Sequence, residues 1–187
     1  MAKLFSNIWF KCISFLLLLT VALGGTLAIL NDVLYVSPEE RTARAIQKIY
    51  GKEMDFTEPE NFEVKEYDNL GRINKLYYIG EDQLFQATGY NGYKNGTITL
   101  WIRVVKNGTE YKINKIVMES YEKQTLMSKL DGSFYQKFYI DVTNDSDLFT
   151  PDSSSASSNK NPVSGATKSA NAACNAVNCV IEYLGGL

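Results

Sequence analysis

An uninterrupted apolar run near the amino terminus constrains the fold of this chain more than any other feature. Residues 13–30 read ISFLLLLTVALGGTLAIL, 18 positions without a charged side chain. This length is at the lower bound for a helix that crosses about 30 Å of membrane hydrocarbon. The run therefore predicts a single transmembrane helix over 13–30, with a short tail over 1–12 in front of it.

The charges on either side of the run predict its orientation. Basic groups precede it and acidic groups follow it: Lys3, Lys11 and the free amine on one side, Asp32, Glu39 and Glu40 on the other. Positive flanks stay on the cytoplasmic side of a membrane. We therefore expect a cytoplasmic tail over 1–12 and one extracytoplasmic domain over 31–187.

A cleaved signal peptide is the alternative interpretation of the same run. Ala22-Leu23-Gly24 offers small residues at a suitable spacing after an apolar stretch. The apolar character continues through Leu30, which favours an uncleaved anchor. Both interpretations export the same domain.

The composition excludes several classes of chemistry. The chain has no histidine and three cysteines. Nucleophile pairs that need histidine and histidine-ligated zinc, copper or haem are therefore excluded. Three cysteines are too few for an ordinary iron–sulfur cluster, so redox chemistry here would require a bound organic cofactor. A net charge of −2 without a basic run argues against a nucleic-acid partner.

The exported domain begins with a well-marked helix. Ser37-Pro38-Glu39-Glu40 has serine at the N-cap, proline at the first helical position and glutamate at the third. Gly51 ends the helix. The apolar stripe between these limits consists of Ala43, Ala45, Ile46, Ile49 and Tyr50.

The middle of the domain has the alternating pattern of β-strands. The apolar positions that alternate with polar ones are Phe62, Val64, Leu76, Tyr78, Ile98, Leu100, Ile102 and Val104. Asn107-Gly108 lies between the runs 97–105 and 111–118 and predicts a two-residue hairpin turn. A helical or irregular segment over 123–137 and a mobile polar loop over 143–161 follow. We expect an α+β fold with a central antiparallel sheet flanked by helices.

The last segment predicts a helix whose start is suited to phosphate. Its apolar face consists of Ala170, Ala173, Cys174, Val177, Ile181 and Leu184, with Gly185-Gly186 at its end. Ser164 is the expected N-cap, which places Gly165, Ala166 and Thr167 in the first turn. Amide groups there have no partner within the helix, and the helix dipole is positive at this end. A phosphate group is a natural ligand for such a turn.

The segment from Ser164 to Ser169, Ser-Gly-Ala-Thr-Lys-Ser, resembles a known flavinylation motif. The motif belongs to FMN-binding domains of the RnfG/NqrC type, which occur in Rnf-type electron-transport complexes and in sodium-translocating NADH:quinone reductases. In that family the threonine at the position of Thr167 is esterified to the phosphate of FMN by an exported flavin transferase, with FAD as the donor. The order of parts is also similar: an N-terminal anchor, an extracytoplasmic domain and the motif at the start of a C-terminal helix.

Weaker similarities lie between the anchor and the motif. Gly89-Tyr90-Asn91-Gly92, followed by Gly96-Thr97-Ile98, is similar to the family's Gly-Tyr loop and first hairpin strand. Gln124-Thr125-Leu126-Met127 stands where the family has Glu-Thr-Pro-Gly, so Thr125 is the one residue carried over from that segment. The family usually has aspartate three residues before the motif serine, where this chain has Asn161.

The resemblance implies a covalent flavoprotein with FMN attached to Thr167. It implies that the surroundings of the phosphate come from Ser164, Gly165, Ala166, Lys168 and Ser169, together with Thr125. The chain would be the electron-carrying subunit of an Rnf- or Nqr-type ion-translocating oxidoreductase rather than a complete enzyme. Its partners would be the integral-membrane, flavoprotein and iron–sulfur subunits of that complex and the transferase, in a bacterial or archaeal cell membrane.

Two other functions remain as alternatives. A flavinylated carrier that works alone outside the cytoplasm would have the same motif and anchor, and a non-redox binding module would require the motif to be coincidental. Some single residues also have ordinary interpretations. Lys168 is a phosphate partner or a solvated helix residue, and Cys174 is expected in the core. Tyr90 and Tyr93 are the aromatic residues best placed in the sequence to line a flavin ring.

Overall fold

The computed structural model of the chain describes residues 8–108, 110–143, 146–149, 163 and 165–186. The chain divides into two compact units, 1–41 and 42–187. Lys3, Asn161, Ser164 and most of the predicted loop over 143–161 lie outside the described residues.

The first helix, α1, spans Ile8–Leu34 and contains the predicted apolar run with several residues added at each end. It has 27 residues and no buried side chain, and at 1.5 Å per residue it is about 40 Å long. Its two threonine hydroxyls are satisfied inside the helix, because Thr20 and Thr26 donate to the carbonyls of Leu16 and Ala22. By length and composition α1 is able to cross a membrane, a test that a signal sequence also passes.

Helix α2 spans Pro38–Tyr50, as the capping pattern predicts. The Ser37 hydroxyl accepts a hydrogen bond from the Glu40 amide at 3.1 Å, and Gly51 leaves the helix with a φ of 77°. The stripe of buried residues differs from the prediction at one position. Thr42 is buried and Ala43 is exposed, because the buried stripe repeats every three to four residues and Ala43 lies outside it.

In the described part of the chain, six strands form one antiparallel sheet in sequence order, which confirms the α+β fold and the predicted central sheet. The strands are β1 Lys65–Tyr67, β2 Gly71–Ile79, β3 Asp82–Gly89, β4 Ile98–Asn107, β5 Glu110–Tyr121 and β6 Asp141–Val142. Every connection between neighbouring strands joins adjacent positions in the sheet. The connections from β1 through β5 are at most eight residues long, as antiparallel neighbours allow, whereas residues 122–140 connect β5 to β6.

The predicted hairpin joins β4 to β5, but its turn is displaced by one residue. Asn107 pairs with Glu110, so Asn107 is the last residue of β4 and the turn follows it at Gly108. Gly108 has a φ of 67°, a conformation that glycine adopts without steric cost. The turn therefore begins at glycine rather than at Asn107.

Both faces of the sheet are covered in its central strands. On the α4 face, Ile98, Leu100, Ile102 and Val104 are fully buried, as the alternation predicts. On the opposite face, Tyr77, Leu84 and Trp101 pack against α2. The alternation did not predict this second core, because the residues that cover it belong to a helix distant in sequence.

Two of the predicted strand positions are exposed. Val64 is 52% exposed because β1 begins one residue later, at Lys65. Tyr78 lies on the same face as Leu76, opposite Tyr77 and Ile79, as the alternation predicts, but its side chain is 39% exposed.

The remaining helices lie on the other face of the sheet. Helix α3 spans Gly132–Gln136 within the predicted segment 123–137. Its start is capped by Asp131, whose carboxylate accepts the Ser133 hydroxyl and the Phe134 and Ser133 amides, and these hydrogen bonds, that of the Ser133 hydroxyl first, lower the pKa of Asp131. Helix α4 spans Thr167–Gly185 and packs across β2, β3 and β4.

Part of the predicted loop over 143–161 is attached to α4. Phe149 is 4% exposed, and its amide and carbonyl both bond the side chain of Asn178, at 2.8 and 2.9 Å. Asn178 is itself buried. This side chain takes the place of a neighbouring strand, so the described residues 146–149 belong to the folded domain.

Candidate functional site

The motif lies where the chain turns into α4. The helix begins at Thr167, with Ala166 at the cap position, and its first hydrogen bond runs from the Ala170 amide to the Ala166 carbonyl at 2.9 Å. The prediction that Gly165 and Ala166 belong to the first helical turn is therefore wrong. They form the turn that precedes it, in which the Ala166 amide donates to the Val163 carbonyl at 3.0 Å. The predicted cap, Ser164, lies outside the described residues.

Thr167 is the first residue of α4 and its side chain is exposed. Its hydroxyl donates to the Val163 carbonyl at 3.4 Å, at the long limit for a hydrogen bond. The amides of the first helical turn have no partner within the helix, and the positive end of the helix dipole lies here. The hydroxyl of Thr167 thus combines solvent access with a favourable field for a phosphate ester.

A lysine that the motif does not contain lies beside this turn. Gly165 has a φ of 78°, and a Cβ atom at this position would lie 3.0 Å from Lys129 Nζ and 4.0 Å from Leu126 Cδ1. Lys168, the lysine named from the motif, is exposed on α4. The turn is therefore bordered by the Lys129 ammonium, which comes from the segment that follows β5.

Ser169 is 2% exposed and points into the protein. Its hydroxyl lies 2.9 Å from Gln124 Oε1 and 3.1 Å from the carbonyl of Thr125, and donates to this pair of acceptors. The structure thus brings Thr125, which the resemblance also selected, to the first turn of α4. The contact uses the backbone of Thr125, while its side chain is exposed.

Gln124 connects three segments, and the sequence patterns did not single it out. It is 8% exposed. Its Oε1 accepts the Tyr93 amide at 3.0 Å as well as the Ser169 hydroxyl, and its Nε2 donates to the Glu122 carbonyl at 2.9 Å. A Cβ atom at Gly92 or Gly96 would lie 2.4 or 2.5 Å from Nε2. In the sequence, these two glycines were the one indication that another side chain packs closely against the loop.

The Gly-Tyr loop is held against α4 by close backbone packing. A Cβ atom at Gly89 would lie 1.9 Å from the Ala172 carbonyl oxygen. Two asparagines of α4 then bond the loop, Asn171 to the Asn91 carbonyl at 2.9 Å and Asn175 to the Tyr90 carbonyl at 3.0 Å. The loop that the resemblance identified is thus adjacent to the motif helix.

The two tyrosines named for a flavin ring differ in their surroundings. Tyr93 is 37% exposed, and Lys94 Nζ lies 5.5 Å from the centre of its ring. The Tyr90 hydroxyl donates to Glu66 at 3.1 Å, beside the edge strand β1. Partial burial, followed by this hydrogen bond, raises the pKa of Tyr90. The hydroxyl of Tyr90 is therefore directed toward Glu66.

Left-handed backbone conformations are concentrated around the site. The residues with positive φ in the loops at this end of the domain include Asn69, Asn91, Lys94, Asn95, Lys123, Leu126 and Gly165. For lysine and leucine this conformation costs about 1–2 kcal/mol per residue. Leu126 combines it with a side chain that is 50% exposed. Strain of this kind persists where the surrounding structure enforces it, which is common at functional sites.

The cysteines of the domain belong to the core. Cys174 and Cys179 are both free and fully buried, and burial raises the pKa of each thiol to about 12. The predicted core position of Cys174 is confirmed. In the part of the chain that the structure describes, no group of three or more histidine, cysteine or acidic side chains is placed to hold a metal ion.

Comparison of the chain with protein-family models, with curated proteins and with solved structures finds no match.

Proposed function

We propose that this protein is a membrane-anchored electron carrier with FMN attached through its phosphate to the hydroxyl of Thr167. The observation that carries the proposal is the position of Thr167. Within a motif of flavinylation type, its exposed hydroxyl lies at the first residue of α4, directly after the Gly165 turn. An attached phosphate at this position would face the positive end of the helix.

The residues around Thr167 fit the phosphate end of the flavin. A phosphodiester carries one negative charge, and the Lys129 ammonium lies against the Gly165 turn, with Lys168 following Thr167 on the helix. Gly165 has no side chain of its own, which leaves room for a phosphate to approach the backbone beside Lys129. These are the features that a phosphate ester requires: amide donors, nearby cations and space at the backbone.

Exposed apolar groups near the turn fit the ring end. Leu126 lies beside Gly165 with half of its side chain exposed. Tyr93 belongs to the loop that Gln124 joins to the same segment, and it is also exposed. A planar aromatic ligand would cover such surface, and apolar surface removed from water stabilises the complex by about 25 cal/mol per Å².

The attachment reaction is a transfer from FAD. The Thr167 oxygen would form a bond to the phosphorus of the FMN half, the diphosphate bond would break, and AMP would leave while the threonine proton passes to a base of the transferase. When bound, the flavin supplies one-electron transfer. The chain holds the phosphate, orients the ring and prevents loss of the cofactor.

For localisation, we propose a single pass through a bacterial or archaeal cell membrane by α1, with the domain that follows outside the cytoplasm. The apolar length of α1 and the charges at Lys11 and Asp32 support this orientation. The proposed assembly is an Rnf- or Nqr-type complex, with its integral-membrane, flavoprotein and iron–sulfur subunits as partners.

The deciding experiment is in-gel flavin fluorescence after denaturing electrophoresis. The full chain is produced in a host that contains the flavin transferase. We expect a fluorescent band for the wild type, its loss in Thr167→Ala and its retention in Thr167→Ser, because serine keeps the hydroxyl. Thr57→Ala, which removes an exposed threonine elsewhere, is the matched control and should fluoresce normally.

Two outcomes would contradict parts of this proposal. A dark wild-type band from the transferase-containing host would exclude the covalent flavin and favour a non-redox binding module. A fluorescent chain that purifies from native membranes without multi-span subunits would exclude the complex and leave a carrier that works alone.

A further inference from the structure

Gln124 and Ser169 form a buried contact between α4 and the segment that follows β5. We propose that these two are positioning residues, which hold the bend over 123–126 against the first turn of α4 and thereby set the surroundings of the Thr167 hydroxyl. The consequence for flavin attachment rests on the function proposed above. The positioning of the 123–126 bend against α4 does not depend on that function.

The chemistry of Gln124 is specific to an amide side chain. Its oxygen accepts from the Tyr93 amide and the Ser169 hydroxyl, while its nitrogen donates to the Glu122 carbonyl. A glutamate would retain both accepted bonds but would place a carboxylate oxygen against a carbonyl oxygen, without a donor between them. Because the side chain is 8% exposed, water could not easily supply the missing proton donor.

The segment that Gln124 holds does not favour its own conformation. Lys123 and Leu126, on either side of the Gln124-Thr125 pair, both have positive φ, at 55° and 57°. Neither residue type adopts this conformation readily. The contacts of Gln124 and Ser169 therefore stabilise a backbone conformation that the local residue types disfavour. Without these contacts the bend is free to relax.

Relaxation of the bend would change the site directly. Ser169 lies two residues after Thr167, and it also bonds the carbonyl of Thr125. Two side chains of the segment that follows β5 also lie against Gly165: those of Leu126 and Lys129. A shift of the 123–126 bend would therefore move apolar surface and a positive charge away from the turn that precedes Thr167.

The test combines the rate of flavin attachment with amide hydrogen exchange in the full chain. Ser169→Ala and Gln124→Glu are compared with Asn178→Ala, which removes a buried side-chain contact in the second half of α4. We expect both site variants to attach flavin at least about fivefold more slowly, the factor that one ordinary hydrogen bond contributes. We also expect exchange of the Tyr93 amide to accelerate by a similar factor. Asn178→Ala should lower the melting temperature and leave both quantities unchanged.

Each outcome bears on the proposal separately from the function. Wild-type attachment rates and unchanged Tyr93 exchange in Ser169→Ala and Gln124→Glu would overturn it. Equal slowing in Asn178→Ala would also overturn it, because the effect would then follow from general instability. If the wild type carries no flavin at all, the proposed function fails, and faster Tyr93 exchange in the site variants alone still supports the positioning role.

Discussion

At the scale of residues, Gly165 and Gly51 have nearly the same backbone conformation, with φ values of 78° and 77°. They differ in what a side chain would meet. Around Gly51 no atom lies within 4 Å of an added Cβ, whereas at Gly165 the Lys129 ammonium lies at 3.0 Å. Both positions therefore require a residue that tolerates a positive φ. Only at Gly165, in the candidate site, would a side chain also meet a neighbouring group.

This pair gives a matched test of the turn before Thr167. Gly165→Ala and Gly51→Ala should each destabilise the fold by about 1 kcal/mol, because alanine is strained at positive φ. Only Gly165→Ala should reduce flavin attachment, since its methyl group displaces Lys129. Urea unfolding and in-gel fluorescence measure the two effects. Equal fluorescence in both variants would show that space at Gly165 has no role in attachment.

Two residues, Ser169 and Lys129, show what the motif did not predict. Ser169 was selected as part of the phosphate surroundings, and its hydroxyl is used by Gln124 and Thr125 in the interior. Lys129 was not selected, yet it lies at the Gly165 turn. Both facts depend on a segment more than thirty residues earlier in the chain, so no pattern within the motif could have predicted them.

At the scale of elements, the contact between α4 and β3 determines where the motif lies. Helix α4 crosses β3 at Gly89, where the helix backbone at Ala172 and Ala176 occupies the space of a side chain. The alanines at the contact allow this close approach. The motif, at the start of α4, is thereby brought next to the loop that follows Gly89.

Gly89→Ala should therefore be among the most damaging small substitutions. A Cβ atom 1.9 Å from a backbone oxygen requires the whole helix to move, because neither partner is a flexible side chain. We expect a loss of about 3 kcal/mol or more in the free energy of unfolding. Gly132→Ala is the control: no atom lies within 4 Å of its added Cβ, and alanine favours helix α3. A loss below about 1 kcal/mol for Gly89→Ala, measured by urea unfolding, would contradict this packing.

At the scale of the whole molecule, two cores on opposite faces of one sheet hold the domain together. The larger core joins α3 and α4 to the sheet and contains both buried thiols, and the smaller core joins α2 to Tyr77, Leu84 and Trp101. Ionisable groups within the larger core link its stability to pH. Tyr67, partly buried beside it, follows the same trend, since burial raises its pKa to about 12.

Stability should fall in alkaline solution. Burial raises the pKa of Cys174 and Cys179 from an ordinary value near 9 to about 12, so the folded protein keeps protons that the unfolded chain loses between these values. Each thiol should lower the free energy of unfolding by up to about 1.4 kcal/mol per pH unit in this range, with its full contribution present below about pH 9.

The measurement is urea unfolding at about pH 8, 9.5 and 10.5 of the wild type and of Cys174→Ala. The variant should start less stable because of the lost packing, and should lose less stability over the alkaline range. An equal alkaline loss in both proteins would show that Cys174 does not ionise on unfolding as its burial requires.

The sequence by itself determined the parts of this protein whose physics is local. The apolar run made α1 a helix, Ser37-Pro38 and Gly51 set the limits of α2, alternation produced β4 and β5, and helical periodicity predicted α4. Each of these depends on residues within a few positions of one another, where periodicity and capping act directly.

Tertiary structure alone decided the rest. The second buried face, the crossing of α4 at Gly89 and the contact of Gln124 with Ser169 join residues far apart in the chain. Such contacts form only after the elements have packed, because their energies depend on which surfaces meet and not on the local pattern of either segment.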